Sequence, residues 1–474
     1  MTVHSNHITF GTDGFRGIIS MDFNFDTVRK IAQGLSDFTA YKNIRSIEKK
    51  HVAVGYDRRF MSDRFARVFS EVLSANGINV VLSSEPVPTP ALSYFSRHKF
   101  NAGIMITASH NEHFYNGVKV KQDGRSAPPS VTAELESYIT RAVPMAGSSA
   151  NVTVKSFRKD YLSYLNSRVK IDAVLAKLKG KIVVDFMHGC GAEFAEEIFK
   201  SKNVIKLRCK RDPLFGGVSP EPIEKNLSEL MQTVRKEKAL FGIAMDGDAD
   251  RFAVIDDKGR YLTPCQTAPL LFEYLLERSK LKGKLVQAVS MGYLTKRIAR
   301  LRNLAVEEVP VGFKYIAEKM ISEDISFGVE ESGGYSWKGN IPERDGLLST
   351  LLVMEIAAAV KKPLSEVYGN IENKYGKSVF IRNDFKLEKP VTNKHSFAVK
   401  LKKKLPKLIL GKKIQEINTI DGLKVIMEDD SWFLMRPSGT EPLMRVYAET
   451  ESQAKTRHLI DFSAKLVSPG RDTK

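Results

Sequence analysis

Short apolar runs alternate with longer amphipathic stretches along most of the chain, which predicts buried strands each followed by a helix. Val52-Ala53-Val54-Gly55-Tyr56 reads as a strand covered on both faces. Ser62 is then placed as the N-cap of a helix, because Phe65, Val68, Phe69, Val72 and Leu73 recur at the three-and-four spacing of one helical face. Gly77 ends that helix, and residues 78–82 and 102–107 read as the next strands. The pattern restarts at Lys181-Ile182-Val183-Val184-Asp185, followed by Gly189-Cys190-Gly191, and again at Leu285-Val286-Gln287-Ala288-Val289. A break rich in Pro, Gly and Ser falls at 144–149, a turn-rich stretch at 256–259 and a further break around Pro363, and the segment beyond Gly376 mixes strand and helix. The expected architecture is therefore three similar doubly wound α/β domains, over 1–150, 151–260 and 261–372, with a smaller α+β domain over 373–474. Each is expected to contribute one loop to a shared cleft, because such sheets gather ligands at the carboxyl ends of their strands.

Composition agrees with a soluble multidomain globular protein. A chain of 474 residues exceeds what one core usually supports, and 42% hydrophobic with 27% charged residues is ordinary for globular proteins. No apolar run approaches the roughly 20 residues that span a bilayer. The polar start does not resemble a signal peptide, and Cys190, Cys209 and Cys265 lack CxxC spacing, so a cytoplasmic protein without a disulfide framework is expected. The formal charge of +18 raises the question of nucleic acid or membrane. Runs such as Lys402-Lys403-Lys404 and Lys412-Lys413 lack the aromatic interleaving of a strand-binding surface, so neither partner is expected. The lysines read as a solvated face, whose basic field would also raise the local concentration of phosphorylated metabolites.

Four polar clusters interrupt the apolar framework. Thr107-Ala108-Ser109-His110-Asn111 follows a strand end and offers a hydroxyl beside an imidazole and an amide, with no GxSxG elbow to suggest a hydrolase. Asp246-Gly247-Asp248-Ala249-Asp250-Arg251 sits between two apolar segments and converges three carboxylates, the ligand set of a hard cation such as magnesium. A calcium EF-hand loop is excluded, because Arg251 and Asp257 occupy the positions where that loop needs Gly and Glu. Glu330-Glu331-Ser332-Gly333-Gly334, with Gly312-Phe313-Lys314 before it, suits sugar hydroxyls. Arg436, Ser438, Gly439 and Thr440 combine a guanidinium fork, two hydroxyls and a pliable backbone, which suits a phosphate that does not react.

Taken in order with Gly11-Thr12-Asp13-Gly14-Phe15-Arg16-Gly17, these clusters resemble the α-D-phosphohexomutase family over essentially the whole chain. The resemblance implies that Ser109 carries a phosphoryl group and also ligates one magnesium ion with Asp246, Asp248 and Asp250. It implies that Arg16, His110, Lys119 and Arg251 serve the transfer, with Lys119 a proton-transfer candidate whose pKa Arg16 and Arg251 would depress. Gly312, Lys314, Glu330 and Ser332 would read the sugar, and Arg436, Ser438, Gly439 and Thr440 would clamp the second phosphate. The implied reaction interconverts glucose 1-phosphate and glucose 6-phosphate through glucose 1,6-bisphosphate. Gly334 favours glucose, since mannose-type and glucosamine-type members tend to carry histidine there; mannose, glucosamine and pentose phosphates stay open as alternatives.

Overall fold

In the computed structural model, which describes residues 8–11, 13–41, 51–391, 393–438 and 442–467, the apolar runs of the first segment become the centre of a sheet. Its strands are β1 (Phe15–Ile18), β2 (His51–Tyr56), β3 (Asn79–Ser83), β4 (Ala102–Ile106), β5 (Tyr115–Gln122), β6 (Arg125–Ser126) and β7 (Val152–Lys155). They lie in the order β1-β5-β4-β2-β3-β7, with β6 beside β5. β2 runs parallel to β3 and β4, so the carboxyl ends of β2 and β4 share one edge, where Asp57 and Ser109 follow them. β5 joins β4 and β1 antiparallel, which sets Gly117 opposite Arg16 and Lys119 opposite Met105. Phe65, Phe69, Val72 and Leu73 of the helix α1 (Ser62–Ala75) pack into the core beside Val52, Val54 and Ile104.

The start of that helix differs from the sequence expectation. Ser62 is its first helical residue and not its N-cap; the cap is Met61, in left-handed conformation with no side-chain cap bond. The Ser62 hydroxyl donates instead to Asp57 at 2.7 Å and accepts from Asn116 Nδ2 at 2.9 Å. Burial next to a carboxylate redirects a side chain whose exposed habit would be capping. Gly77, at φ 74°, ends the helix as expected.

The second segment repeats the arrangement with β8 (Ile182–Asp185), β9 (Val204–Leu207), β10 (Gly242–Met245) and β11 (Phe252–Ile255). β8 is parallel to β9 and β10, whereas β11 pairs antiparallel with β10. The acidic cluster is thus the tight connection between two neighbouring strands whose every residue is buried.

The chain divides into two compact units, one of Met1–Tyr261, Met320–Ser322 and Gly333–Leu364, the other of Leu262–Lys319, Glu323–Ser332 and Ser365–Lys474. In the second, the strand Lys284–Ala288 is parallel to both Val306–Val309 and Ile325–Glu330. The same unit ends in an antiparallel sheet that includes Val379–Lys386, Leu443–Thr450, Trp432–Pro437 and Leu423–Met427, against which Leu459 and Ile460 of the helix Gln453–Val467 pack. Among the described residues, no helix is long and apolar enough to cross a membrane.

Candidate active site

The chain turns sharply after β4, and Ser109 adopts φ 55°, a left-handed conformation that costs a non-glycine residue of order 1 kcal/mol. Its surroundings hold it there. The Ser109 N–H donates to Thr107 Oγ1 at 2.8 Å, and the Thr107 hydroxyl donates to Asp57 at 2.6 Å. The buried Arg59 guanidinium donates from Nη2 to the carbonyls of Ser109 and Asn111 and from Nη1 to those of Glu112 and Tyr115. Gly247 of the acidic loop presses on the same turn, since a Cβ there would lie 2.6 Å from the Ser109 carbonyl.

That approach joins the first two clusters. The Ser109 hydroxyl donates to Asp246 Oδ2 at 3.0 Å and lies 3.4 Å from His110 Nδ1. Asp246 Oδ1 accepts the N–H groups of Asp250 and Arg251. Asp248 Oδ2 accepts from the Thr89 hydroxyl at 2.5 Å and Lys119 at 2.7 Å; Asp250 Oδ2 accepts from Lys119 at 2.9 Å and Arg344 at 2.8 Å. The remaining oxygens, Oδ1 of Asp248 and of Asp250, are buried and accept no hydrogen bond. One carboxylate oxygen from each of the three aspartates falls within 4.8 Å of the others. Buried, unshared carboxylate oxygens brought this close are the donor set of a small divalent cation, and the residues fit one. Burial, and then Asp248 and Asp250, push the Asp246 carboxyl well above its ordinary range, a repulsion that a cation would reverse.

Lys119 departs from expectation. Burial alone would lower its pKa, but Asp13 at 2.8 Å, Asp248 and Asp250 outweigh it and push the pKa up, which favours the ammonium form. The expected depression by Arg16 and Arg251 fails because three carboxylates stand closer. His110 goes the other way: burial, then Arg251 and Arg16, hold its imidazole well below the ordinary range and hence neutral. Arg16 Nη1 donates to Asn111 Oδ1 at 2.5 Å, and Arg251 Nε lies 3.8 Å from Asp250 Oδ1. Ser109, His110, Lys119, Arg16, Arg251 and the three aspartates are thus together in the first unit.

Sequence reasoning missed the frame around them. Arg344 bridges Asp13 at 2.7 Å and Asp250, while Lys121 pairs with Glu343 at 2.7 Å and its Nζ is 3.6 Å from Asp13. The visible signal was Glu343-Arg344-Asp345, three charges directly before the buried helix Gly346–Val360. Thr89 between Pro88 and Pro90, and Arg59 just past the end of β2, left no comparable signal.

The second unit carries the other candidates. Glu330 ends a fully buried strand and accepts from the Ser332 hydroxyl at 2.5 Å. Glu331 accepts from Ser290; burial and the adjacent Glu330 raise its pKa, and Arg382 and Arg436 are near enough to oppose the rise. Gly312, at φ 131°, caps the helix Phe313–Ser322, and Lys314 Nζ stands 5.4 Å from the Tyr315 ring centroid. Arg436 donates from Nε to Asp421 at 2.6 Å, and Ser438 follows the same strand. Gly439 and Thr440 lie outside the described residues.

Four models of one family match in succession: phosphoglucomutase/phosphomannomutase α/β/α domain I at residues 7–144, domain II at 159–259, domain III at 263–375 and the C-terminal domain at 394–466. The α/β fold class expected from the sequence agrees with them. A phosphoglucomutase/phosphomannomutase of Thermococcus kodakarensis is 30% identical, aligned over 97% of this chain and 98% of its own. A phosphoglucosamine/phosphogalactosamine mutase of Sulfurisphaera tokodaii is also 30% identical, over 97% and 98%. A solved structure from Thermus thermophilus, given the working name phosphomannomutase, superposes with a TM-score of 0.85 at 32% identity, over 98% of this chain and all of its own.

Proposed function

The chain belongs to the phosphoglucomutase/phosphomannomutase family of isomerase-type phosphotransferases, and from that premise we propose that it interconverts glucose 1-phosphate and glucose 6-phosphate. The observation that carries this reading is the Ser109 hydroxyl, 3.0 Å from Asp246 in a carboxylate cluster with two unshared buried oxygens. A phosphoryl group on that hydroxyl would stand directly over the cation site. Asp246, Asp248 and Asp250 would hold magnesium, which when bound neutralises charge on the transferring oxygens.

In the proposed cycle the bond from phosphorus to Ser109 Oγ breaks as one forms to a sugar hydroxyl oxygen, and that hydroxyl's proton ends, net, on Oγ. His110 is the group assigned to relay it, being a neutral imidazole beside the hydroxyl. Lys119 is assigned to charge: paired with Asp248 and Asp250, its ammonium offsets their charge. The half-buried Arg251 and Arg16 supply charge stabilisation for the phosphoryl oxygens. The resulting glucose 1,6-bisphosphate would reorient and return its other phosphoryl group to Ser109 by the reverse exchange. Glu330 and Ser332, with Gly312 and Lys314, are assigned to the sugar, and Arg436 and Ser438 to the phosphate at rest. Residue Gly334 favours glucose, while the mannose and glucosamine names of the relatives keep those sugars in the comparison.

A coupled assay over glucose, mannose, glucosamine and ribose 1-phosphates should give the highest kcat/KM for glucose, and peptide mapping should place one phosphate on Ser109. Preference for an amino sugar would replace the substrate. Full turnover by Ser109→Ala supplied with bisphosphate would end the phosphoserine reading.

A further inference from the structure

Asp421 stands where two substrate-binding segments of the second unit meet. It is buried, in the turn between the strands Lys412–Asn418 and Leu423–Met427. The turn packs tightly because Gly422, at φ 113°, has no side chain; a Cβ there would lie 2.3 Å from the Met435 carbonyl. That closeness delivers the carboxylate to Arg436. Asp421 Oδ2 accepts from Arg436 Nε at 2.6 Å and from the Val311 backbone N–H at 3.2 Å, and Oδ1 accepts from Lys394 at 2.6 Å.

The geometry of these contacts differs from a simple neutralising pair. An arginine offers five N–H groups in a rigid fork, and a carboxylate bound through Nε leaves the paired Nη groups for another anion. Val311 immediately precedes Gly312, so the second bond on the same oxygen fixes the backbone that leads into Lys314. An unheld arginine side chain would lose rotamer freedom on binding, a cost already met if the fork is fixed beforehand.

We propose that Asp421 is a positioning residue, which aims Arg436 and ties the Gly312–Lys314 loop to it so that clamp and loop form one binding face. The inference rests on the proposed assignment of Arg436 to the resting phosphate.

Asp421→Asn, Asp421→Glu, Arg436→Ala and the Asp421→Asn/Arg436→Ala double variant would be titrated with glucose 1-phosphate by calorimetry and assayed for turnover. Asp421→Asn should raise Kd and KM on the order of tenfold and leave kcat and magnesium half-saturation nearly unchanged. Asp421→Glu keeps the charge but shifts the carboxylate by one methylene, so it should also lose affinity, and it serves if the asparagine variant does not fold. Added to Arg436→Ala, Asp421→Asn should raise Kd by clearly less than its tenfold cost in the parent, the remainder being the share carried by the Val311 bond to the loop. Parent-like affinity in both Asp421 variants, or an Asp421→Asn penalty that persists in full without Arg436, would overturn the positioning role alone. Parent-like affinity in Arg436→Ala would overturn the clamp itself, and this inference with it.

Discussion

Thr89 does two things to one aspartate: its hydroxyl donates to Asp248 Oδ2 and its N–H to the Asp248 carbonyl at 2.9 Å. With Lys119 also on Oδ2, the buried Oδ1 oxygen is left without a hydrogen bond. Supports behind a metal ligand typically contribute ten- to a hundredfold in metal affinity or activity. Thr89→Val, which keeps the shape and removes the hydroxyl, should therefore raise the magnesium concentration for half-maximal activity about tenfold. Thr89→Ser should stay near the parent. Titration of activity with magnesium checks both, and an unchanged Thr89→Val curve would remove Thr89 from the site. At this scale the candidate groups were legible, because Ser109 and the aspartates stand in short polar runs between apolar ones. Their supports were not, because Arg59, Thr89 and Asp13 reach the site only through folding across the chain.

Strands offered a similar contrast. β2, β4 and β10 announce themselves by apolar continuity, but β5 does not. Asn116, Lys119 and Lys121 are buried in it because they serve ion pairs and hydrogen bonds, so its sequence reads as polar although its middle is covered. Leu423–Met427 carries the same disguise at Lys424. That ammonium donates to Glu308 and to the Val289 carbonyl, each at 2.7 Å, and sits 4.3 Å from the Trp432 ring centroid. Burial exceeds the pull of Glu308 and lowers its pKa to about 8. Below pH 8 the folded and unfolded chains both hold the proton. Between about 8 and the unfolded value near 10.4, only the unfolded chain does, so this lysine makes stability rise with pH across that window. Urea unfolding of the parent relative to Lys424→Met should show the parent gaining stability from pH 8 to 10; a constant difference would reject the assignment.

Charge also acts over the whole molecule. Between Glu388 and Glu416 there are nine lysines and no acidic residue, and this stretch contributes to a net charge of +18. Such a field raises the encounter rate of a dianionic sugar phosphate without contacting it, and salt screens it over about 10 Å at 0.1 M. Raising ionic strength should lower kcat/KM while kcat holds steady. An uncharged sugar should show no such loss in binding. A salt-independent kcat/KM would confine the lysines to solubility. The contrast between these exposed amines and the enclosed ones has an experimental consequence. Lys119, Lys121 and Lys424 have side chains no more than 1% accessible. An acetylating reagent at mild pH should mark the lysines of the outer face and spare these three, turning peptide mass spectra into a clock for internal opening. Lys424, whose proton burial loosens, should acquire the mark readily whenever its enclosure breathes.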